Sequence, residues 1–156
     1  MTWLLSSTAV ASAVMGGIFF GFSSFIMPAL GRIAREEGIH AMQRINIDVY
    51  HWSFMGTFFA IPFVSLGLGA YAVYRWGEPW AAYALVGSAV YLVGTFVVTA
   101  AGNVPLNEAL AVVEPNTKQA AATWSRYLVE WSRWNHVRTA ACIVAAGFFF
   151  AAARAS

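Results

Sequence analysis

The chain has 156 residues, 60% of them hydrophobic and 10% charged, with a net charge of +2. Soluble domains carry about 25% charged residues, so this composition implies an integral membrane protein, small enough to form one domain over residues 1–156. The weak net charge without a basic stripe argues against a nucleic-acid partner, and the single cysteine, Cys142, rules out an internal disulfide or a thiolate metal cluster within one chain.

Four spans are expected, within about 3–30, 52–74, 80–101 and 134–153, giving an all-α four-helix transmembrane bundle. Trp3, Trp52, Tyr74, Trp76, Trp80 and Trp134 fall at span ends, as interfacial aromatics do. The first apolar run, Trp3 to Leu30, has no Lys or Arg before it and is long for a signal peptide, so it reads as a retained span. Within it, Gly17 and Gly21 form a G-x-x-x-G pair that permits close helix contact and points to a homo-oligomer through the first helix.

The connection from Gly31 to His51 carries Arg32, Arg35, Glu36, Glu37, His40, Gln43, Arg44 and Asp48. Ile33, Ala41, Met42, Ile45 and Ile47 supply the apolar side of a short amphipathic helix. Gly77-Glu78-Pro79 is a tight turn between the second and third spans. The third span is expected to end at Gly102-Asn103-Val104-Pro105-Leu106-Asn107, because proline disrupts a continuous helix. Asn103 would cap a new short helix with Pro105 in its first turn. Asn103 and Asn107 are four apart and share a face, either as cap and turn or as carboxamides aimed into the bundle mouth. The segment Gly102 to Arg133 is a second long polar connection, helical from Thr117 onward into the fourth span. Both long connections lie on one side, with Arg32, Arg35, Arg44, Lys118, Arg126 and Arg133, against Arg75 and Arg154 on the other. The bias puts the long connections in the cytoplasm and both termini outside.

The fourth span carries the chemistry. Its clean apolar run, Thr139 to Ala153, has 15 residues, about 22 Å at ~1.5 Å per residue, against a hydrocarbon core of about 30 Å. The helix must therefore take in Trp134, Asn135, His136 and Arg138. A guanidinium at the edge of lipid either snorkels to the surface or marks a functional site. Trp131 with Asn135, and Trp134 with Arg138, are i,i+4 pairs. They read as an aromatic belt with an anchoring arginine, or as an aromatic-walled pocket in which Asn135 and Arg138 face developing negative charge. His136 is the best single general-base candidate, since imidazole titrates near neutrality, although it points about 100° away from Asn135. No His-x-x-His, His-x-x-x-His or Glu-x-x-His pair occurs, so a metal site would have to join the distant His51 and His136.

Four segments together resemble the anthrone-oxygenase-like family of small four-helix membrane proteins, whose bacterial members are largely domains of unknown function. They are Gly17 through Leu30 (GIFFGFSSFIMPAL), Met42-Gln43-Arg44-Ile45-Asn46, Asn103-Val104-Pro105-Leu106-Asn107, and Trp131-Ser132-Arg133-Trp134-Asn135-His136-Val137-Arg138-Thr139. The resemblance implies a bacterial cytoplasmic membrane protein that uses dioxygen on a hydrophobic, anthrone- or quinol-like aromatic substrate without an organic cofactor. It implies His136 as base, Arg138, Asn135, Asn103 and Asn107 as stabilisers of an oxyanion, and Trp131, Trp134, Gln43 and Arg44 as substrate-binding residues. Two other readings stand beside it: a non-catalytic ligand-binding or transport module, and a haem or copper protein ligated by His51 and His136.

Overall fold

A computed structural model describes residues 1–156, and it is all helical. Four helices are long and apolar enough to cross a membrane: α1 (Thr2–Leu30), α3 (Trp52–Tyr74), α4 (Ala81–Ala111) and α5 (Lys118–Ala155). The amphipathic helix expected in the first long connection is α2 (Arg35–Asp48), with Ile39 and Met42 buried against the ends of α4 and α5. Thr117 caps α5 by accepting from Ala120 N at 3.1 Å. Gly77 makes the turn between α3 and α4 at φ 109°, a conformation that favours glycine.

The third span does not end at Ala101. Helix α4 runs through Pro105 to Ala111, and Asn103 keeps helical angles (φ −82°, ψ −41°) with no capping bond from its side chain. The reason lies just upstream. Residues Leu92–Val97 and Thr99–Asn103 form wide π turns. A wide turn gives room to the carbonyl that a proline ring would otherwise strike, and it tolerates the missing N–H. The same device occurs in α1, where the π turn Phe22–Ile26 stands directly before Pro28. What remains of the second long connection is the short stretch 112–117, flanked by helices that extend past the apolar zone.

The helices pack antiparallel in the order α1–α5–α4–α3. Thr2 and Ser156 bond at 2.8 Å where the two termini meet. Small residues set the close approaches: a Cβ on Gly16 would lie 3.1 Å from Cys142 Cβ, one on Gly94 2.5 Å from Ala141 Cβ, and one on Gly69 3.4 Å from Ser88 Cβ. The apolar interior is divided in two. One cluster, including Leu5, Met15, Phe58, Leu68 and Phe149, fills the half nearer the termini. The other, including Met27, Met42, Leu110, Trp124 and Trp131, fills the loop end. Asn103, Asn135, Arg138 and Thr139 are buried at the junction of the two.

Candidate functional site: a buried arginine between two apolar cores

Arg138 does not reach out to the surface. Its side chain is 6% exposed and lies inside the bundle, with the guanidinium carbon 4.2 Å from the Phe19 ring centroid and 5.2 Å from that of Trp131. The rings cover the cation by cation–π contact. Nη2 donates to Asn135 Oδ1 at 2.6 Å, Nη1 donates to Thr99 Oγ1 at 3.4 Å, and Nε has no partner. No carboxylate compensates the charge: the four ion pairs of the chain use Arg35, Arg44, Arg75 and Arg126, all more exposed.

Asn135, fully buried, is the hub. Its Nδ2 donates to Phe19 O at 2.7 Å and to Ser23 Oγ at 2.8 Å, which ties α5 to the π turn of α1. Thr139, one turn on, donates to Asn135 O at 2.9 Å and lies 3.3 Å from Ser23 Oγ. From α4, Asn103 Nδ2 donates to Trp131 O at 3.2 Å, while Asn103 Oδ1 and Trp131 Nε1 are buried without partners. Ser23, Thr99 and Asn103, which bring α1 and α4 to this centre, all stand in π turns. The structure thus leaves two donors, Arg138 Nε and Trp131 Nε1, and one acceptor, Asn103 Oδ1, buried and unpaired on residues in contact with one another. Such a constellation can hold an anionic oxygen in a low-dielectric site.

Between α4 and α5 the polar contacts form a ladder: Thr95 with Cys142 (3.3 Å), Thr99 with Arg138, Asn103 with Trp131, and Asn107 with Tyr127. On the lowest rung Tyr127 donates to Asn107 Oδ1 at 2.7 Å, and Asn46 reaches the same hydroxyl at 3.5 Å. Trp124, Tyr127 and Trp131 stack in sequence with centroids 5.8 and 5.7 Å apart, and Phe22 packs on Trp131 at 5.7 Å.

Of the residues singled out in the sequence, Asn135, Arg138, Asn103 and Trp131 converge, with Asn107 one turn below. The structure does not bring the others to them. Trp134 faces outward over Gly102, where a Cβ would strike its ring at 2.7 Å. His136 is exposed on the opposite face of α5. Gln43 closes the C-terminal end of α4 by donating to Leu110 O (2.9 Å) and Val113 O (3.1 Å). Arg44 is exposed and bonds Asp48 at 2.9 Å, a contact that raises its pKa above the ordinary arginine value. His51 caps α3, with Nδ1 2.9 Å from Ser53 Oγ. No three His, Cys, Asp or Glu side chains converge anywhere in the chain.

Sequence reasoning passed over Phe19, Thr95, Thr99 and Tyr127. The signal for three of them was present: Thr95, Thr99, Asn103 and Asn107 repeat every four residues, and Tyr127 stands four before Trp131.

A sequence model of the family described as "Anthrone oxygenase" matches residues 47–148. It takes in α3, α4 and all the α5 side chains of the Arg138 centre, and omits Phe19 and Ser23 of α1. No curated protein and no solved structure matches the chain. With about two thirds of its length matched, the chain belongs to the anthrone oxygenase family.

Proposed function

We propose that the chain is a membrane-embedded oxygenase in which Arg138 holds the oxyanion of a hydrophobic aromatic substrate while dioxygen takes electrons from the substrate. The observation that carries this reading is the buried guanidinium without a carboxylate. A lone buried cation is costly, and an anion supplied by a ligand relieves that cost at the moment it forms. The family match adds the reaction class.

The steps follow from that charge. A methylene flanked by aromatic rings and conjugated to a carbonyl loses a proton, and the negative charge passes to the carbonyl oxygen. Arg138 Nε and Trp131 Nε1 donate to that oxygen, and Asn103 Oδ1 accepts from a neighbouring hydroxyl of the ligand. The carbanion gives one electron to dioxygen, the two radicals join as a carbon-bound peroxide, and loss of water leaves a second carbonyl. The balance is one methylene plus one dioxygen giving one carbonyl and one water. The electrons come from the substrate, so the reading requires no organic cofactor. His136, on the outward face, does not contribute the base in this arrangement. The proton passes to solvent water, favoured because Arg138 holds the resulting anion, and a proton returns to the carbon-bound peroxide before water leaves.

Two further elements belong to the same reading. The Lys/Arg bias supports a cytoplasmic side for the long connections, and with them the loop end of the bundle. A Cβ on Gly17 would meet nothing of its own chain within 4 Å, which leaves the Gly17 position of α1 open to a second copy, while Phe25 and Ile26 cover Gly21.

The test is dioxygen uptake by protein reconstituted in liposomes with anthrone as substrate. Wild type is expected to consume dioxygen in proportion to anthrone. Arg138→Met is expected to lose about 10²–10³-fold in rate, with His136→Ala close to wild type. Anthrone binding without uptake in wild type makes the chain a ligand-binding protein, and uptake unaffected by Arg138→Met removes the oxyanion role.

A further inference from the structure

The half of the bundle between Arg138 and the termini holds a second group of buried polar side chains that the proposed chemistry does not use. Ser12 of α1, Ser65 of α3, and Ser88 and Tyr91 of α4 are each 2% exposed or less. None of their four hydroxyls has a hydrogen-bond partner in the chain. Elsewhere the helical hydroxyls are satisfied locally. Ser7, Thr8, Ser24, Thr57 and Thr99 each donate to the carbonyl four residues back, the usual solution in a membrane helix. The four orphans instead point into the bundle.

They also lie at similar depth. Gly69 faces Ser88, so Ser65, one turn along the antiparallel α3, is level with Tyr91. Gly87 faces Phe148 and Gly16 faces Cys142. Ser12, one turn from Gly16 toward the N-terminus, is therefore level with Ala146, about 3 Å in depth from Phe148. From Tyr91 the same face of α4 continues into Thr95 and Thr99, and Thr99 accepts from Arg138. The row Ser88, Tyr91, Thr95, Thr99 thus connects mid-bundle to the buried cation.

We propose that Ser12, Ser65, Ser88 and Tyr91, with Thr95, bind a chain of ordered waters that links the Arg138 centre to the end of the bundle bearing the termini. Uncharged hydroxyls that both donate and accept, at similar depth and unpaired, fit water better than an ion. A buried water typically takes about three hydrogen bonds from such groups. Thr8, one turn above Ser12 on the same face of α1, continues the polar row toward the surface. The chain gives the buried guanidinium a route for proton exchange with solvent. The inference does not depend on what the Arg138 centre binds.

The first test uses the wild-type protein in bilayers, labelled with ¹³C-serine and ¹³C-alanine, and follows magnetisation transfer from water by solid-state NMR. Ser65 and Ser88 are expected to receive it as fast as exposed Ser125; transfer as slow as to buried Ala84 overturns the water site. A second test reads a sign. Ser88→Ala is expected to lower the melting temperature by about 2–4 °C, because a bonded hydroxyl is lost, whereas a rise means a dry, unpaired hydroxyl. A third tests the connection. Deuterium exchange at Arg138 Nε is expected to slow in Thr95→Val; exchange at the wild-type rate shows that solvent reaches Arg138 by another way and removes the link.

Discussion

Asparagine at position 135, where an aspartate would have made an ion pair, is what leaves Arg138 uncompensated. The carboxamide does two things that a carboxylate cannot do together: it accepts from Arg138 Nη2, and it donates to Phe19 O and Ser23 Oγ. It orients the guanidinium without cancelling its charge. Asn135→Asp supplies the missing counter-ion, so the anion-holding capacity should disappear while the fold survives. The expected outcome is a loss of about 10²-fold or more in anthrone-dependent dioxygen uptake, with the protein still monodisperse and cooperatively melting. Full activity in Asn135→Asp would show that the charge of Arg138 is not used. Asn135→Leu separates structure from charge differently. It leaves Arg138 Nη2 without its acceptor and removes the bonds to Phe19 O and Ser23 Oγ, at a cost of about 2–4 kcal/mol, measured as a lowered unfolding free energy in mild detergent. The i,i+4 pattern made Trp131, Asn135 and Arg138 legible in the sequence as one face. What it could not tell was whether the long arginine side chain runs outward to the headgroups or inward between helices, because both directions satisfy the same spacing. The burial of the side chain and its two aromatic neighbours decide for the inward course.

Helix by helix, the site depends on α1 and α4 being wider than ideal where they pass Arg138. Ser23 lies in the π turn before Pro28, and Thr99 and Asn103 in the π turn before Pro105. A proline in sequence reads as a stop, and that reasoning places a helix end at Ala101. The chain absorbs the proline by local unwinding, which costs no helix and turns polar side chains toward the centre. Periodicity alone gives no sign of this, since a π turn changes the register by a single residue. The four-residue repeat Thr95, Thr99, Asn103, Asn107 was by contrast fully visible. Contact between α4 and α5 at this level is set by Gly94, where a Cβ would lie 2.5 Å from Ala141 Cβ. Gly94→Ala should therefore push the two helices apart and destabilise the protein by about 1–3 kcal/mol. Ala141→Gly in the same molecule removes the colliding atom and should recover most of that loss. Melting curves of the two single variants and the double variant check this as a double-mutant cycle. A double variant no better than Gly94→Ala alone would mean that the close approach is not the constraint.

At the level of the whole molecule, four spans, a tight turn at Gly77 and an amphipathic α2 were all legible, because hydrophobic length and Gly/Pro punctuation report them directly. The partition of the interior into two apolar cores around a polar centre was not, because it depends on which helices become neighbours. The outer surface carries one more legible feature. Helix α1 turns Ser12, Met15 and Phe19 inward. Its other face presents Val10, Val14 and Gly17 to the membrane. Small residues there bring no benefit to the monomer, since a Cβ on Gly17 would meet nothing of its own chain within 4 Å. They allow close approach of a second helix, and in lipid such packing is a main source of association. Gly17→Leu should therefore leave the melting temperature of the isolated chain unchanged while blocking that approach. Crosslinking in bilayers at increasing lipid dilution is the measurement. Wild type is expected to give a dimer that persists on dilution, and Gly17→Leu a monomer. A wild type that is monomeric throughout removes the self-association reading and leaves the Arg138 centre, which lies wholly within one chain, untouched.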